Sequence, residues 1–299
     1  MRVNFPFKFI LIFVLVFIAG DRLFAHIAGI AFRYSCLPEA KMYSGRGKAD
    51  VLVFGDSRGY RHFPVMSLEK GFKWRFKISN LSLIGASIEG MEARLLDYIE
   101  FYGLPKMVII ESTSSLSSYN EAFKEQRCFM LYSKRIGRII KNDYPVLYYA
   151  GKVSNLFNYN SVTFFNALHK IVKPEPELTF KGVIPEKKAA NVQKRARSFY
   201  KITDNNRKAL KRIVELSRKK GFELRIVLTP LLPKYSDYKQ WKKSLEGIIG
   251  KDVSLWEYVS NNSFVREHFY DDNHLNKDGV KVLLKILEQD GFFRQGRRT

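Results

Sequence analysis

Residues 51–63 read VLVFGDSRGYRHF, and this stretch decides the fold. Val51, Leu52, Val53 and Phe54 run without a polar residue, the pattern of a strand buried on both faces, as in a parallel sheet. Gly55 and Asp56 end the run with turn chemistry, and Ser57 follows at once. A serine in that place stands at the carboxyl edge of a parallel sheet, where open α/β folds bind ligands. A helix beginning after the turn aims N–H groups and a positive dipole end at it. A lone GDS tripeptide is common by chance, so partners must come from elsewhere in the chain.

The same rhythm repeats outward. NLSLI (80–84), KMVII (106–110) and FELRIVLT (222–229) are further strand candidates, the last stopped by Pro230 and Pro233. Residues 90–102 predict a helix with Met91, Leu95, Leu96 and Ile99 on one face, and 279–288 predict a closing helix. DNNRKALKRIVELSRKK (204–220) is amphipathic: Leu210, Ile213, Val214 and Ser217 share a face, Asp204 can cap its start, and Gly221 lies past its end. Strands separated by helices predict an α/β fold with a central parallel sheet covered on both faces. Residues 116–202, rich in Tyr, Phe, Asn and Lys, break the rhythm and read as an insertion, either a cap or helices padding the sheet edge.

The N-terminus points to a membrane. FILIFVLVFIAG (9–20) carries no charge, Asp21 and Arg22 interrupt it, and LFAHIAGIAF (23–32) resumes the apolar character. As one helix, residues 7 to about 28 are long enough to cross a bilayer. No clean A-x-A cleavage site follows, so the segment reads as an uncleaved signal anchor. Arg22, Arg33, Lys41, Arg46 and Lys48 follow it, more cations than precede it, so the positive-inside count does not favour an outward C-terminus.

The chain has 299 residues, 46% of them hydrophobic, which excludes a mostly disordered protein. The net charge of +22 suggests an anionic neighbour, whether nucleic acid, phospholipid or an acidic polymer. Residues 181–225 hold fifteen basic and four acidic side chains, half of that excess. The two cysteines, Cys36 and Cys128, exclude a four-cysteine zinc site and leave open one disulfide or two buried thiols. No HExxH, glycine-rich phosphate loop or cluster of metal ligands occurs, so no cofactor, metal or nucleotide is expected.

Partners for Ser57 come from the other end. FYDDNHLNKDGVKVLLKIL (269–287) places His274 three residues after Asp271, just before a helix. A carboxylate so spaced can hold one ring nitrogen while the other faces a serine, the geometry needed to deprotonate it. Asp272 competes for that role, and His62, five residues after Ser57, is read as a packing or substrate-side residue. Arg58 and Arg61 flank the serine and are candidates to bind a carboxylate or phosphate, or to pair with Glu89 or Glu111.

These blocks together resemble the SGNH (GDSL-type) hydrolase superfamily. More narrowly, they look like the membrane-anchored bacterial SGNH-like proteins of envelope glycan O-acetylation, the alginate acetyltransferase-like group. GDSR (55–58) is similar to the nucleophile block and NLSLIGAS (80–87) to the second block, whose glycine falls on Gly85. DDNH (271–274) is similar to the DxxH block, and WEY (256–258) to the strand end before it. The resemblance covers about residues 49–287, with the middle segment unmatched. It implies Ser57 as nucleophile, His274 as base, Asp271 as orienting acid, and the Ser57 and Gly85 N–H groups as oxyanion donors. The third block departs: where the family carries GxND, this chain reads KMVIIESTSSL (106–116), with Ser115 at the asparagine position. Losing one oxyanion donor typically costs about 100- to 1,000-fold in turnover.

The resemblance implies a three-layer, flavodoxin-like SGNH domain over 49–295 with an insertion at about 116–202, after an anchor (1–32) and a linker (33–48). It implies a serine esterase or O-acyltransferase acting on acyl groups, chiefly acetyl, of a surface or secreted polysaccharide. Expected partners are a glycan or acyl-ester substrate, the membrane through the N-terminal helix, and a membrane-bound O-acyltransferase. The expected place is a bacterial inner membrane, single-pass, with the domain in the periplasm or outside the cell, away from nucleic acid. The alternative is a non-catalytic module of the same fold that binds an anionic glycan or scaffolds an export complex.

Overall fold

The computed structural model describes residues 7–35, 37–118, 120–172, 179–194, 197–233 and 235–294. Its strands are β1 (Val51–Phe54), β2 (Ile78–Asn80), β3 (Met107–Glu111), β4 (Glu223–Leu228) and β5 (Ser254–Glu257). Its helices are α1 (Phe7–Tyr34), α2 (Pro38–Met42), α3 (Ser57–His62), α4 (Val65–Gly71), α5 (Ile88–Tyr102), α6 (Ala122–Glu125), α7 (Lys134–Asp143), α8 (Pro145–Val153), α9 (Val162–Val172), α10 (Glu186–Gln193), α11 (Asp204–Lys220), α12 (Tyr238–Ile249) and α13 (Lys277–Gln289). The chain divides into two compact units: Met1–Arg46 with Phe123–Pro174, and Gly47–Ala122 with Glu175–Thr299.

The second unit is the α/β fold. All strand pairings among the described residues are parallel, in the order β2-β1-β3-β4-β5. Val51 lies opposite Ile78 on one side and Met107 on the other. Strand alternation sends Val51, Val53, Ile109 and Val227 to one face, where they form a core with Leu68 of α4 and Phe72 just after it, Val192 of α10, and Leu283 and Leu287 of α13. The alternate residues point to the other face, where α5, α11 and α12 pack side by side. Leu52, Val108, Ile110, Ile226 and Leu228 on that side are fully buried, each worth about 1.5–3 kcal/mol of apolar transfer. Both faces are therefore covered, which is why the strands read as unbroken apolar runs. The order reverses between β1 and β3, so a crevice opens beyond their carboxyl ends.

Two elements differ from expectation. The strand expected at 80–84 lies at Ile78–Asn80; beyond it Leu81 N and Leu83 N still donate to Val53 O and Gly55 O, and the Asn80 amide turns inward, donating to the carbonyls of Gly59 and Phe63 at 2.9 Å. The amphipathic helix runs over 204–220 as expected, with Gly221 in the left-handed region (φ +76°), but its cap is Thr203, whose hydroxyl accepts from Asn206 N. On this helix Arg212 is held by both oxygens of Glu92 at 2.6 Å, and Lys211 and Lys219 are exposed.

The first unit revises the expected boundaries. Residues 33–48 are not a free linker: α1 continues to Tyr34, and Leu37, Ala40 and Met42 are buried beside it. The segment expected as one insertion over 116–202 is split: Phe123–Pro174 joins the N-terminal helix, while Glu175 onward belongs to the sheet unit. Ala25, Ala28 and Phe32 form a stripe along α1 that packs on α9, α2 and the 3-10 turn Leu156–Tyr159. Gly29 is required there, since an added Cβ would sit 2.7 Å from the Tyr159 hydroxyl. Cys128 is fully buried, and burial pushes its thiol up to about 12. Cys36 lies outside the described residues, so the Cys36–Cys128 pairing does too.

Within Lys8–Tyr34 an 18-residue window has a mean hydropathy of 2.1, and the helix is long and apolar enough to cross a membrane. At about 1.5 Å per residue, its 28 residues exceed the ~30 Å hydrocarbon core of a bilayer.

Candidate active site at the sheet switch point

Ser57 opens α3 directly after the β1 turn. The turn is tight: a Cβ on Gly55 would lie 2.6 Å from Gly59 Cα, so the strand can return as a helix this closely only with glycine. Asp56 caps the helix, its Oδ1 accepting from Arg58 N at 2.8 Å. The Ser57 N–H sits in the first turn, where the helix provides no internal acceptor.

His274 arrives from the loop before α13. Its Nε2 lies 2.7 Å from Ser57 Oγ, and its Nδ1 lies 2.9 Å from both oxygens of Asp271. Asp271 Oδ1 also accepts the backbone N–H groups of Asn273 and His274 at 2.8 Å, locking the DDNH loop. Burial alone would raise the Asp271 carboxyl. The His274 ring hydrogen bond, the Asn273 N–H, the His274 charge and the His274 N–H outweigh it and hold the group at about 2. Asp272, the competing acid, faces away and pairs with Arg197 at 3.0 Å. The structure thus brings together Ser57, His274 and Asp271, separated by 217 residues, in a continuous hydrogen-bonded chain.

Of the three expected ligand-facing groups, two turn away from the crevice and one stays beside Ser57. Arg58 does not face the crevice: its side chain is 2% exposed, with Asp56 at 3.6 Å and Glu111 at 3.8 Å. Burial would lower its pKa, but the two carboxylates raise it, so it is a fixed structural cation. Helix geometry explains this, since adjacent residues point about 100° apart and Ser57 holds the crevice side. Ser115 is fully buried, and its hydroxyl donates to the Glu111 carbonyl at 3.2 Å rather than toward an oxyanion. Arg61, four residues after Ser57 and on its side of the helix, lies 3.7 Å over the Phe180 ring and is half-buried.

Gly85 holds φ +73° in the loop between β2 and α5, a conformation glycine adopts without strain. That loop is pinned beside the Gly55–Ser57 turn, because Leu83 N donates to Gly55 O at 3.0 Å.

The structure adds residues that the motifs did not single out for these roles. His62 is fully buried, and its Nε2 accepts from Leu275 N at 3.0 Å, holding the residue next to His274. Burial, with the nearby His274 and Arg58, keeps His62 well below the usual imidazole range and neutral, as an acceptor must be. Beneath the turn, Glu111 is fully buried and accepts from Thr113 and Thr229, and burial drives its carboxyl upward. Ser114 donates to the second oxygen of the Asp56 cap, the one that also faces Arg58. Phe180 stacks on Tyr270 (4.0 Å, 1°) and meets His274 edge-on at 5.2 Å. Tyr200 donates to Asn273 at 3.0 Å. Phe180 and Tyr200 come from the segment read as an insertion, where no local pattern tied them to the site.

No protein-family model matches this chain, and no curated protein matches it either. Among the described residues no cluster of three or more His, Cys, Asp or Glu is placed to hold a metal.

Proposed function

We propose that this chain is an SGNH-type serine esterase or O-acyltransferase, tethered to a bacterial inner membrane by α1, that removes or transfers acyl groups, chiefly acetyl, on an envelope polysaccharide. The observation that carries this reading is the 2.7 Å contact between Ser57 Oγ and His274 Nε2, backed by Asp271 on Nδ1. Ser57 Oγ attacks the ester carbonyl while His274 Nε2 takes its proton. Collapse of the tetrahedral intermediate expels the alcohol oxygen, to which His274 returns the proton, leaving an acyl-Ser57 ester. A sugar hydroxyl or water, deprotonated by His274, then takes the acyl group. In this reading the N–H groups of Ser57 and Gly85 stabilise the oxyanion, without help from Ser115.

The reading predicts an acetyl adduct on Ser57, seen by mass spectrometry after incubation with an activated acetyl ester, and none in Ser57→Ala. Absence of both adduct and Ser57-dependent esterase turnover refutes it. The orientation of Ser115 and the exposed Lys211 and Lys219 favour one second reading, a glycan-binding module of the same fold. It predicts that Ser57→Ala complements a deletion fully while charge reversal at those lysines does not.

A further inference from the structure

Phe180 has both faces of its ring occupied. The Tyr270 ring lies parallel to it at 4.0 Å and fills one face, so the Arg61 guanidinium, 3.7 Å from the ring centroid, takes the other. His274, at 5.2 Å and 64°, is left with the rim. Arg61 follows Ser57 by one turn of α3, and Tyr270 immediately precedes Asp271. The stack of Arg61, Phe180 and Tyr270 therefore runs from the helix of Ser57 to the loop of His274, with the imidazole against its middle member.

The backbone around Phe180 is sewn to both flanks of the DDNH loop. Phe180 O accepts Lys277 N at 2.9 Å, Gly182 O accepts the Asn276 amide at 2.8 Å, and Ile184 N donates to Phe269 O at 2.8 Å. Ile184 itself is buried in the core beneath the sheet. Tyr200 repeats the pattern on the other side: it donates to Asn273 at 3.0 Å and has the Arg58 guanidinium 5.8 Å over its ring. Asp271 fixes the imidazole at one corner only, because both of its oxygens meet Nδ1. A ring held at one corner can tilt about it and swing Nε2 away from Ser57 Oγ. The Phe180 rim opposes that tilt, and the groups on its two faces keep the rim from yielding.

We infer that Phe180 is a positioning residue that pins the plane of the His274 ring and so holds Nε2 against Ser57 Oγ, with Tyr200 bracing the same loop from Asn273. The inference rests on the proposed chemistry of Ser57 and adds a residue that acts through His274 rather than on the ester. Misplacing a reacting group by 1 Å costs on the order of 100-fold in rate. A side chain that only packs leaves turnover intact once the protein is folded, and one that binds substrate changes KM. A positioning residue lowers kcat and leaves KM nearly unchanged.

The test uses the full chain in detergent micelles, with p-nitrophenyl acetate as substrate and proton NMR of the His274 ring. Phe180→Leu is expected to lower kcat about 10- to 100-fold with KM within about twofold, while Phe180→Tyr, which keeps the ring, stays within about threefold of wild type. Tyr200→Phe, which removes only the hydroxyl, is expected to lower kcat about 3- to 10-fold. The low-field resonance of the Nδ1 proton shared with Asp271, assigned by its loss in His274→Gln, should be sharp in wild type and Phe180→Tyr and lost to exchange in Phe180→Leu. If Phe180→Leu does not fold, Tyr270→Leu, at a residue 41% exposed, strips one wall of the stack and should lower kcat about fivefold with KM unchanged. A kcat within about twofold of wild type in the leucine variant used, or a loss carried by KM alone, overturns the inference. A wild type without Ser57-dependent turnover refutes the esterase reading instead, and the resonance then decides alone: if it stays sharp in the leucine variant, the inference falls.

Discussion

Replacing Asp271 by asparagine keeps the shape of the side chain and removes its charge. Both carboxylate oxygens lie 2.9 Å from His274 Nδ1, and Oδ1 also holds two backbone N–H groups. If the asparagine oxygen keeps those N–H groups, its NH₂ can face Nδ1 and donate to it. The ring proton then moves to Nε2, which points at Ser57 Oγ and can no longer accept the serine proton. An asparagine in the equivalent role of a serine-protease triad costs on the order of 10⁴-fold in kcat, and a similar loss is expected here. The structure also sets the stability cost. Asp271 is held at about 2 against an ordinary value of 3.8, and at about 1.4 kcal/mol per pH unit the carboxylate contributes about 2 kcal/mol at neutral pH. Because the folded-state value is depressed, that contribution is complete above about pH 5 and is lost as pH falls toward 2. The assay is denaturant unfolding of the full chain in detergent micelles at pH 7 and pH 2–3, beside p-nitrophenyl acetate hydrolysis. The variant should be less stable at pH 7 and converge with the wild type in acid. Retention of more than a tenth of the activity, or a stability gap as large at pH 2 as at pH 7, refutes the assignment of Asp271.

His62→Ala strands the Leu275 N–H and should cost about 1–3 kcal/mol while lowering kcat more than it raises KM, measured by unfolding and steady-state kinetics. Since His62 is held neutral, wild-type stability should decline below pH 6.5, and this decline should be shallower in the variant. Gly55→Ala drives a Cβ into the Gly59 backbone at 2.6 Å and should lower the melting temperature and abolish Ser57-dependent turnover together. Arg212→Glu breaks the two-toothed contact with Glu92 and should cost about 0.5–1 kcal/mol, whereas Lys219→Glu should be near neutral in the same melting experiment.

How much of the site could be read in advance depends on the range of the interactions that build it. Four apolar residues in a row before Gly55 and Asp56 are enough to place a strand end, and the structure puts Ser57 there. The spacing of Asp271 and His274 fixes their mutual contact because three residues of loop can close a ring onto a carboxylate. Arg58 and Ser115 went astray for one reason: sequence neighbourhood locates a backbone but not the direction of a side chain. Arg58 is one residue from Ser57, yet the turn of α3 aims it at Glu111 under the sheet edge. Ser115 stands where the strand alignment put it, and the tight turn after β3 folds its hydroxyl back to its own strand. The expected strand at 80–84 begins earlier and closes at Asn80, although Leu81 N and Leu83 N still donate to Val53 O and Gly55 O.

By itself the sequence determined what short-range physics controls: the apolar helix, the buried strands, the 204–220 helix with its glycine stop, and the loops that carry Ser57 and the Asp271–His274 pair. Only the tertiary structure decided which segments belong together. It divided residues 116–202 between the two units, brought Phe180 and Tyr200 beside the DDNH loop, and placed the buried His62 behind it. Those outcomes depend on contacts between residues far apart in the chain, where the loss of loop entropy is offset by burial of many groups at once, and no local window records that sum.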